Sequence, residues 1–349
     1  MPSSETSPSP PTVATLIVGA GPIGLACAIS AKRRQVGTLV IDAGPICDSI
    51  VRYPVGMTFF TTPERLEIGD HPLVCSGQKA TREEALKYYR GVVRTEGLRV
   101  RTYTRLVGAQ PSAKGIVCEL ETRHGRETLT VKRLVLATGY FNHPKPIGVP
   151  GEDLPHVSHY FDEAHRSAGL DVVVIGGRNS AAETTLELFR AGARTTIVYR
   201  GASFPKGVKY WLRPDLENRI KAGEVTAYLG AQVERIDSRH VHVRTAEGAE
   251  VAIPADRVYA LTGFRPDFDL FRNMGIRLDD ATGVPEFDPE TLESNVPGIF
   301  MVGSTISGLN TSDVFIENGR YDGEKVFGDA ASRDAARELY RNANRYYGE

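Results

Sequence analysis

The 349-residue sequence holds a single tryptophan and four cysteines, and it carries no excess of charge of either sign. The cysteines stand at 27, 47, 75 and 118, with separations of 20, 28 and 43 that match neither a zinc site nor a CxxC redox pair. No metal centre is expected, and the thiols read as free, mostly buried side chains. Lys and Arg total 42 against 43 for Asp and Glu, a formal net charge of -1, so no global field draws the chain to nucleic acid or to an anionic membrane. Apolar runs such as LVLA and VVVI fall far short of the roughly 20 residues a membrane helix needs. The opening MPSSETSPSPPT lacks the basic and apolar regions of a signal peptide; residues 1–11 read as a disordered tail on a cytoplasmic protein.

The remainder has ordinary globular composition, 41% hydrophobic and 24% charged, long enough for two or three domains. From Thr15 the chain reads TLIVGAGPIGLACAISAKRRQVGTLVIDAG, an apolar strand, a glycine turn, a helix and a second strand ending at Asp42. Gly19, Gly21 and Gly24 fit G-x-G-x-x-G in the βαβ context that gives the pattern meaning. The first glycine tightens the turn, the second admits a pyrophosphate to the backbone, and the third lets helix and strand pack closely. The helix N-terminus, at Pro22 and Ile23, supplies N–H groups for the phosphates. Asp42, 23 residues after Gly19, is placed to accept the hydroxyls of an adenosine ribose, or else caps the turn before Gly44.

The same plan recurs from Asp171, DVVVIGGRNSAAETTLELFRAGARTTIVYRG, where Gly176 and Ala181 take the outer motif positions and Arg178 replaces the middle glycine. Either Arg178 contacts a phosphate or it is a solvated loop arginine. Counting 23 residues on from Gly176 reaches Tyr199 and then Arg200, so the ribose carboxylate is absent. Arg200 can pair with a 2′-phosphate that an acidic residue would repel, which favours NADPH over NADH. Each βαβ unit is followed by alternating strands that close on a Thr-Gly, at Thr138-Gly139 and at Thr262-Gly263. The expectation is an α/β fold with two Rossmann-type dinucleotide-binding domains and inserted antiparallel strands. The FAD-binding domain is placed at 12–150 and 268–335, with the NADPH-binding domain inserted at 151–267 and a C-terminal helix or tail at 336–349.

GAGPIGLA, ATGY, GGRNSA and GIFMVG together resemble the low-molecular-weight thioredoxin-reductase branch of pyridine-nucleotide flavoproteins. DSIVRYPVGMTFFTTPERLEIGD, ALKYYRGVV, LPHVSHYFDEAH and FIENGRYDG are similar to the YpdA-type, bacillithiol-disulfide-reductase-like family. The resemblance implies a thioredoxin-reductase-like FAD enzyme that uses NADPH to reduce a low-molecular-weight thiol disulfide or another small acceptor, and it suggests a homo-oligomer. It assigns Gly19, Gly21, Gly24, Asp42, Thr138 and Gly139 to FAD, with Pro22 and Ile23 at the same helix start, and Gly176, Gly177, Asn179, Ser180 and Arg200 to NADPH, with Arg178 beside them as a candidate contact. Residues Gly303 to Asn310 would line the flavin, with Ser304 where thioredoxin reductases carry aspartate; read from the residues, Glu317 either orients a helix end near the flavin or is an ordinary first-turn carboxylate. Thioredoxin reductases carry CxxC before the nicotinamide domain's strand, and members of the closer family commonly carry cysteine after the first Gly-Pro. Here the first region has no cysteine and the second has Ile23.

His159, beside His156 and His165, is a candidate proton donor or else an ordinary inter-domain histidine. Cys27 reads as structural. Two other readings stay open. The stretch PGEDLPHVSHYFDEA is similar to the His-containing linker of flavin-dependent monooxygenases, and a redox-sensing NADPH-binding flavoprotein would need no acceptor cysteine.

Overall fold

A computed structural model of the chain describes residues 13–311 and 313–344, and the tail expected at 1–11 lies outside them. Two compact units form. One contains the described residues up to Val51, then Gly56–His143 and those from Arg265 onward; the other contains Arg52–Val55 and Pro144–Phe264.

In the first unit, β1 (Thr15–Val18), β2 (Thr38–Ile41), β3 (Val100–Arg101), β7 (Arg133–Leu136) and β16 (Ile299–Met301) make a parallel sheet in the order β16-β7-β1-β2-β3. Strand β1 is buried along its whole length, as a parallel strand covered on both faces must be. An antiparallel sheet of β4 (Thr104–Ser112), β5 (Gly115–Thr122) and β6 (Gly125–Val131) sends alternate residues of β5, Ile116, Cys118 and Leu120, against Leu16, Leu134 and Leu136. Helix α1 (Pro22–Arg33) joins β1 to β2, the short α2 (Asp48–Val51) follows, and α3 (Arg82–Glu96) precedes β3. After the second unit the chain returns through α6 (Phe268–Asn273), whose Phe271 enters the same core, and through β16, α7 (Ile316–Gly319), α8 (Asp322–Phe327) and α9 (Ala330–Asn344). The expected boundary at 335/336 falls inside α9, which runs unbroken.

The second unit repeats the topology. Strands β8 (Val157–Ser158), β9 (Asp171–Ile175), β10 (Arg194–Tyr199), β11 (Thr226–Leu229) and β15 (Arg257–Ala260) form a parallel sheet ordered β11-β10-β9-β15-β8. Alternate residues of β9 face two cores. Val172 and Val174 meet Ala181, Leu186 and Leu188 of α4 (Asn179–Arg190) and Leu216 of α5 (Arg213–Lys221). Val173 and Ile175 meet Val241, Val243 and Ile253 of the antiparallel sheet β12 (Gln232–Ile236), β13 (His240–Arg244) and β14 (Glu250–Pro254). The divisions between units fall at 143/144 and 264/265, seven and three residues before the expected ones; there Pro144 bridges Phe264 and the Lys145 N–H donates to the Gly263 carbonyl at 2.9 Å. Among the described residues no helix is long and apolar enough to cross a membrane.

Candidate functional site: two glycine turns

The first turn leaves the end of β1 beside the end of β7. Gly19 has φ +113°, and a Cβ there would stand 2.2 Å from the Ala137 carbonyl oxygen. A Cβ on Gly24 would stand 2.0 Å from the Gly19 carbonyl oxygen, so helix and turn touch backbone to backbone. A Cβ on Gly21, by contrast, would meet nothing within 4 Å. Two glycines are therefore required by the protein's own packing, whereas the middle one borders open space that a ligand can use. Helix α1 has no side-chain cap and no acidic residue in its first turn. Helix α3 shows what a helix start looks like when the chain completes it: Thr81 and Glu84 form a capping box.

Asp42 braces this turn. Its Oδ2 accepts from the Ala20 N–H and its Oδ1 from the Gly44 N–H, both at 2.8 Å, so the turn-capping role is present. Each oxygen keeps a second lone pair for a ribose hydroxyl. Burial pushes the carboxyl up from its ordinary value, with the Gly44 and Ala20 donors pulling the other way.

Around the Thr138-Gly139 and Gly303 turns, polar atoms are left over. Thr138 Oγ1, Ser307 Oγ and Asp322 Oδ1 are buried without a hydrogen bond, which costs free energy unless a ligand or water completes them. Gly139 has φ +64°, and a Cβ on it would lie 3.7 Å from Ser304 Oγ. Glu317 is buried at the start of α7. Together with the open Gly21, these orphaned groups fit a polar, pyrophosphate-containing cofactor.

Sequence reasoning missed Asp322. It is fully buried, its Oδ2 accepts from the Gly303 N–H at 2.7 Å, and burial pushes its carboxyl up to about 6. In FIENGRYDG an acid before glycine looks like a solvated helix start, and only the reach across 19 residues to Gly303 shows otherwise.

Ile23 packs its Cδ1 toward Gly303 and Gly319, where Cβ atoms would be 2.7 and 2.6 Å away. Cys27 is fully buried where α1 crosses α8; a Cβ on Gly323 would lie 2.8 Å from its Cα. Burial first, then Asp322 and Glu324, hold its thiol well above the ordinary range. Cys47 is also buried, with Sγ 3.6 Å from the Ala20 carbonyl; burial, then Asp42, push its thiol up. Burial takes Cys118 up to about 12. Cys75 donates to the Gly77 carbonyl at 3.1 Å.

The second turn leaves β9 beside the end of β15. A Cβ on Gly176 would be 2.5 Å from the Leu261 carbonyl oxygen, the counterpart of Gly19 against Ala137. Arg178 is the N-cap of α4, without a side-chain cap, and the first turn holds no acid. Tyr199 does more than leave out a carboxylate. Its ring lies against Gly177 and Gly201, where Cβ atoms would come within 2.3 and 2.5 Å of ring carbons, and it stacks on Phe204 with ring planes 8° apart. Arg178, Ser180 and Arg200 are exposed. Asn179 is instead tied to the chain itself. Its Oδ1 accepts from the Lys209 N–H at 2.9 Å and its Nδ2 donates to the Gly207 carbonyl at 3.2 Å, which fastens the helix start to the loop at 207–209.

His159 is engaged at both ring nitrogens, with Nδ1 3.0 Å from the Ala260 carbonyl oxygen and Nε2 3.3 Å from Glu152 Oε1. The Glu152 carboxylate in turn accepts from the Ile147 and Gly148 N–H groups. These contacts hold the ring in one orientation. Among the described residues, one group has metal-like composition: Asp237, His240 and His242. Its carboxylate already accepts from the Arg239 and His240 N–H groups and is paired with Arg235, so the turn between β12 and β13 accounts for it.

Residues 16–303 match the profile of the family described as Pyridine nucleotide-disulphide oxidoreductase. The chain belongs to this family. It is an oxidoreductase of the thioredoxin-reductase-like fold whose cofactors are FAD and NAD(P)H. It is 40% identical over 319 residues to bacilliredoxin reductase Bdr of Bacillus subtilis, covering 91% of this chain and 98% of that one. The solved bacillithiol disulfide reductase Bdr (YpdA) of Bacillus cereus superposes with a TM-score of 0.88 at 37% identity, over 95% of this chain and 99% of that one. The Staphylococcus aureus structure of the same title gives a TM-score of 0.85 at 32% identity, over 94% and 99% of the two chains.

Proposed function

We propose that the protein is an FAD-dependent NADPH reductase of a low-molecular-weight thiol disulfide, and that it works without a protein thiol as intermediary. The observation that carries this reading is the pair of uncapped glycine turns: one is backed by Asp42, the buried Asp322 and orphaned polar atoms, the other is faced by exposed cations. FAD belongs to the first, where Gly21 leaves room for a pyrophosphate and Asp42 holds the turn. NADPH belongs to the second, where Tyr199 replaces the ribose carboxylate and Arg200 is free to meet a 2′-phosphate.

FAD held at the first turn would supply two-electron transfer between NADPH and the acceptor, the balance being one disulfide and one NADPH, with a proton, to two thiols and NADP+. The protein's contribution is orientation and exclusion of water. Thiolates are the reactive form in disulfide exchange, and burial holds the Cys27, Cys47 and Cys118 thiols in the neutral form. The similarity to enzymes named for bacillithiol disulfide supports the acceptor class. A cytoplasmic setting and a homo-oligomeric state belong to the same proposal, resting on composition and resemblance.

The test is steady-state NADPH oxidation by the FAD-loaded protein with bacillithiol disulfide as acceptor, in wild type, Cys27→Ala, Cys47→Ala and Cys75→Ala. Turnover is expected in all four. A cysteine variant that still reduces its flavin but loses disulfide turnover would show that a protein thiol is required. Turnover only with an oxidised bacilliredoxin would move the acceptor to a protein disulfide.

A further inference from the structure

Resting on the reading of the second unit as the NADPH unit, we infer that Lys145 binds the pyrophosphate of the dinucleotide from the β15 side of the sheet, contributing affinity but not selectivity between NADPH and NADH. The placement follows from topology. The strand order β11-β10-β9-β15-β8 reverses direction between β9 and β15, and open α/β sheets bind ligands in the crevice beyond the carboxyl ends of the strands at such a point. Three neighbouring strand ends carry a cation there. Arg200 follows β10 and Arg178 follows β9, while Lys145 is pinned just beyond the end of β15.

Two hydrogen bonds hold Lys145 in place: its N–H donates to the Gly263 carbonyl at 2.9 Å, and its carbonyl accepts from Thr262 Oγ1 at 2.6 Å. Its aliphatic stem runs over Gly263, where a Cβ would lie 3.9 Å from Lys145 Cδ. The residue is half-buried. Elsewhere in this unit arginines find carboxylates, as in Arg194 with Asp171, Arg190 with Asp215 and Arg244 with Glu234. Among the described residues, neither Arg178 nor Arg200 has such a partner. Burial, then Arg178 and Arg200, push the Lys145 ammonium below its ordinary value, so both arginines lie near enough to act on it. Like charges gathered at a ligand crevice call for an anion. A dinucleotide offers two: the pyrophosphate at the glycine turn, between β9 and β15, and the 2′-phosphate on the β10 side, within reach of Arg200. Lys145 stands on the side away from β10.

The experiment measures dissociation constants of NADP+ and NAD+ by titration calorimetry on the FAD-loaded protein, for wild type, Lys145→Gln, Lys145→Arg and Arg200→Ala. Lys145→Gln is expected to weaken both dinucleotides by about tenfold with their ratio unchanged, as loss of one charge-assisted contact does. Lys145→Arg should restore most of the loss, and Arg200→Ala should weaken NADP+ alone. Unchanged constants in a Lys145→Gln protein that folds as wild type, by circular dichroism, overturn the inference. So does a loss confined to NADP+, which would put Lys145 on the 2′-phosphate. A wild type that binds neither dinucleotide defeats the reading of the whole unit, an outcome separate from either of these.

Discussion

The two glycine turns share a backbone plan and differ in what stands behind it. Each leaves the C-terminal end of a central parallel strand and presses its first glycine on a neighbouring carbonyl, Ala137 in one unit and Leu261 in the other. Each opens a helix that no side chain caps. Behind the first turn lie the half-buried Asp42 and, at the Gly303 turn, the buried Asp322, both acids pushed toward the neutral form. At the second, a tyrosine ring fills the space between Gly177 and Gly201, and the charges near the strand ends are cations. The lesson is that the glycine pattern specifies a dinucleotide turn, whereas the residue ending the second strand and the charges around it specify which dinucleotide.

The largest expected effect separates glycines the protein needs from the glycine a ligand needs. Gly24→Ala forces a methyl into the Gly19 carbonyl, and backbone cannot move aside cheaply, so unfolding free energy should drop by about 3 kcal/mol even without cofactor. Gly21→Ala has room and should leave apoprotein stability unchanged while weakening FAD retention. Denaturant melts of both apoproteins, with flavin content after desalting, check the pair; equal destabilisation would erase the distinction.

Next in size is nucleotide choice. Arg200→Ala should lower the NADPH/NADH ratio of kcat/KM by about ten- to a hundredfold, the equivalent of one charge-assisted contact. If the ratio stays, Arg178 reads the 2′-phosphate instead.

A smaller effect sharpens the contrast in buried acids. Asp322 has its folded pKa raised to about 6, above the ordinary 3.8, so its stabilising contribution is complete below about pH 4 and is lost as pH rises through about 6. Wild type should therefore lose on the order of 2–3 kcal/mol between pH 4 and pH 7 that Asp322→Asn does not lose. Parallel pH profiles of the two proteins would count against a buried, raised acid at this position.

Much of this architecture was legible in the sequence because parallel strands and glycine turns are local signals. LIV and VVVI are continuous apolar runs that end at glycine, and the alternation of GIVCELET marks a one-faced antiparallel strand. What escaped depends on contacts across long separations. Lys145 gains its place from Gly263, more than a hundred residues away, and Asp322 gains its place from Gly303. Tyr199 could be read only as a missing carboxylate, since nothing in YRG tells that its ring lies under Gly177. Asn179 and His159 have the right residue types in the right motifs, yet the structure engages them with the chain's own backbone and carboxylates.

The most direct test of the central claim, FAD at the first turn and NADPH at the second with no thiol between them, is an anaerobic titration with NADPH. It follows flavin absorbance in wild type and in a variant with Cys27, Cys47, Cys75 and Cys118 all replaced by Ala, and the flavin released on denaturation is then identified. The expected result is FAD from both proteins and bleaching by a stoichiometric amount of NADPH in both. Release of FMN, absence of flavin, or bleaching that depends on the cysteines would contradict it.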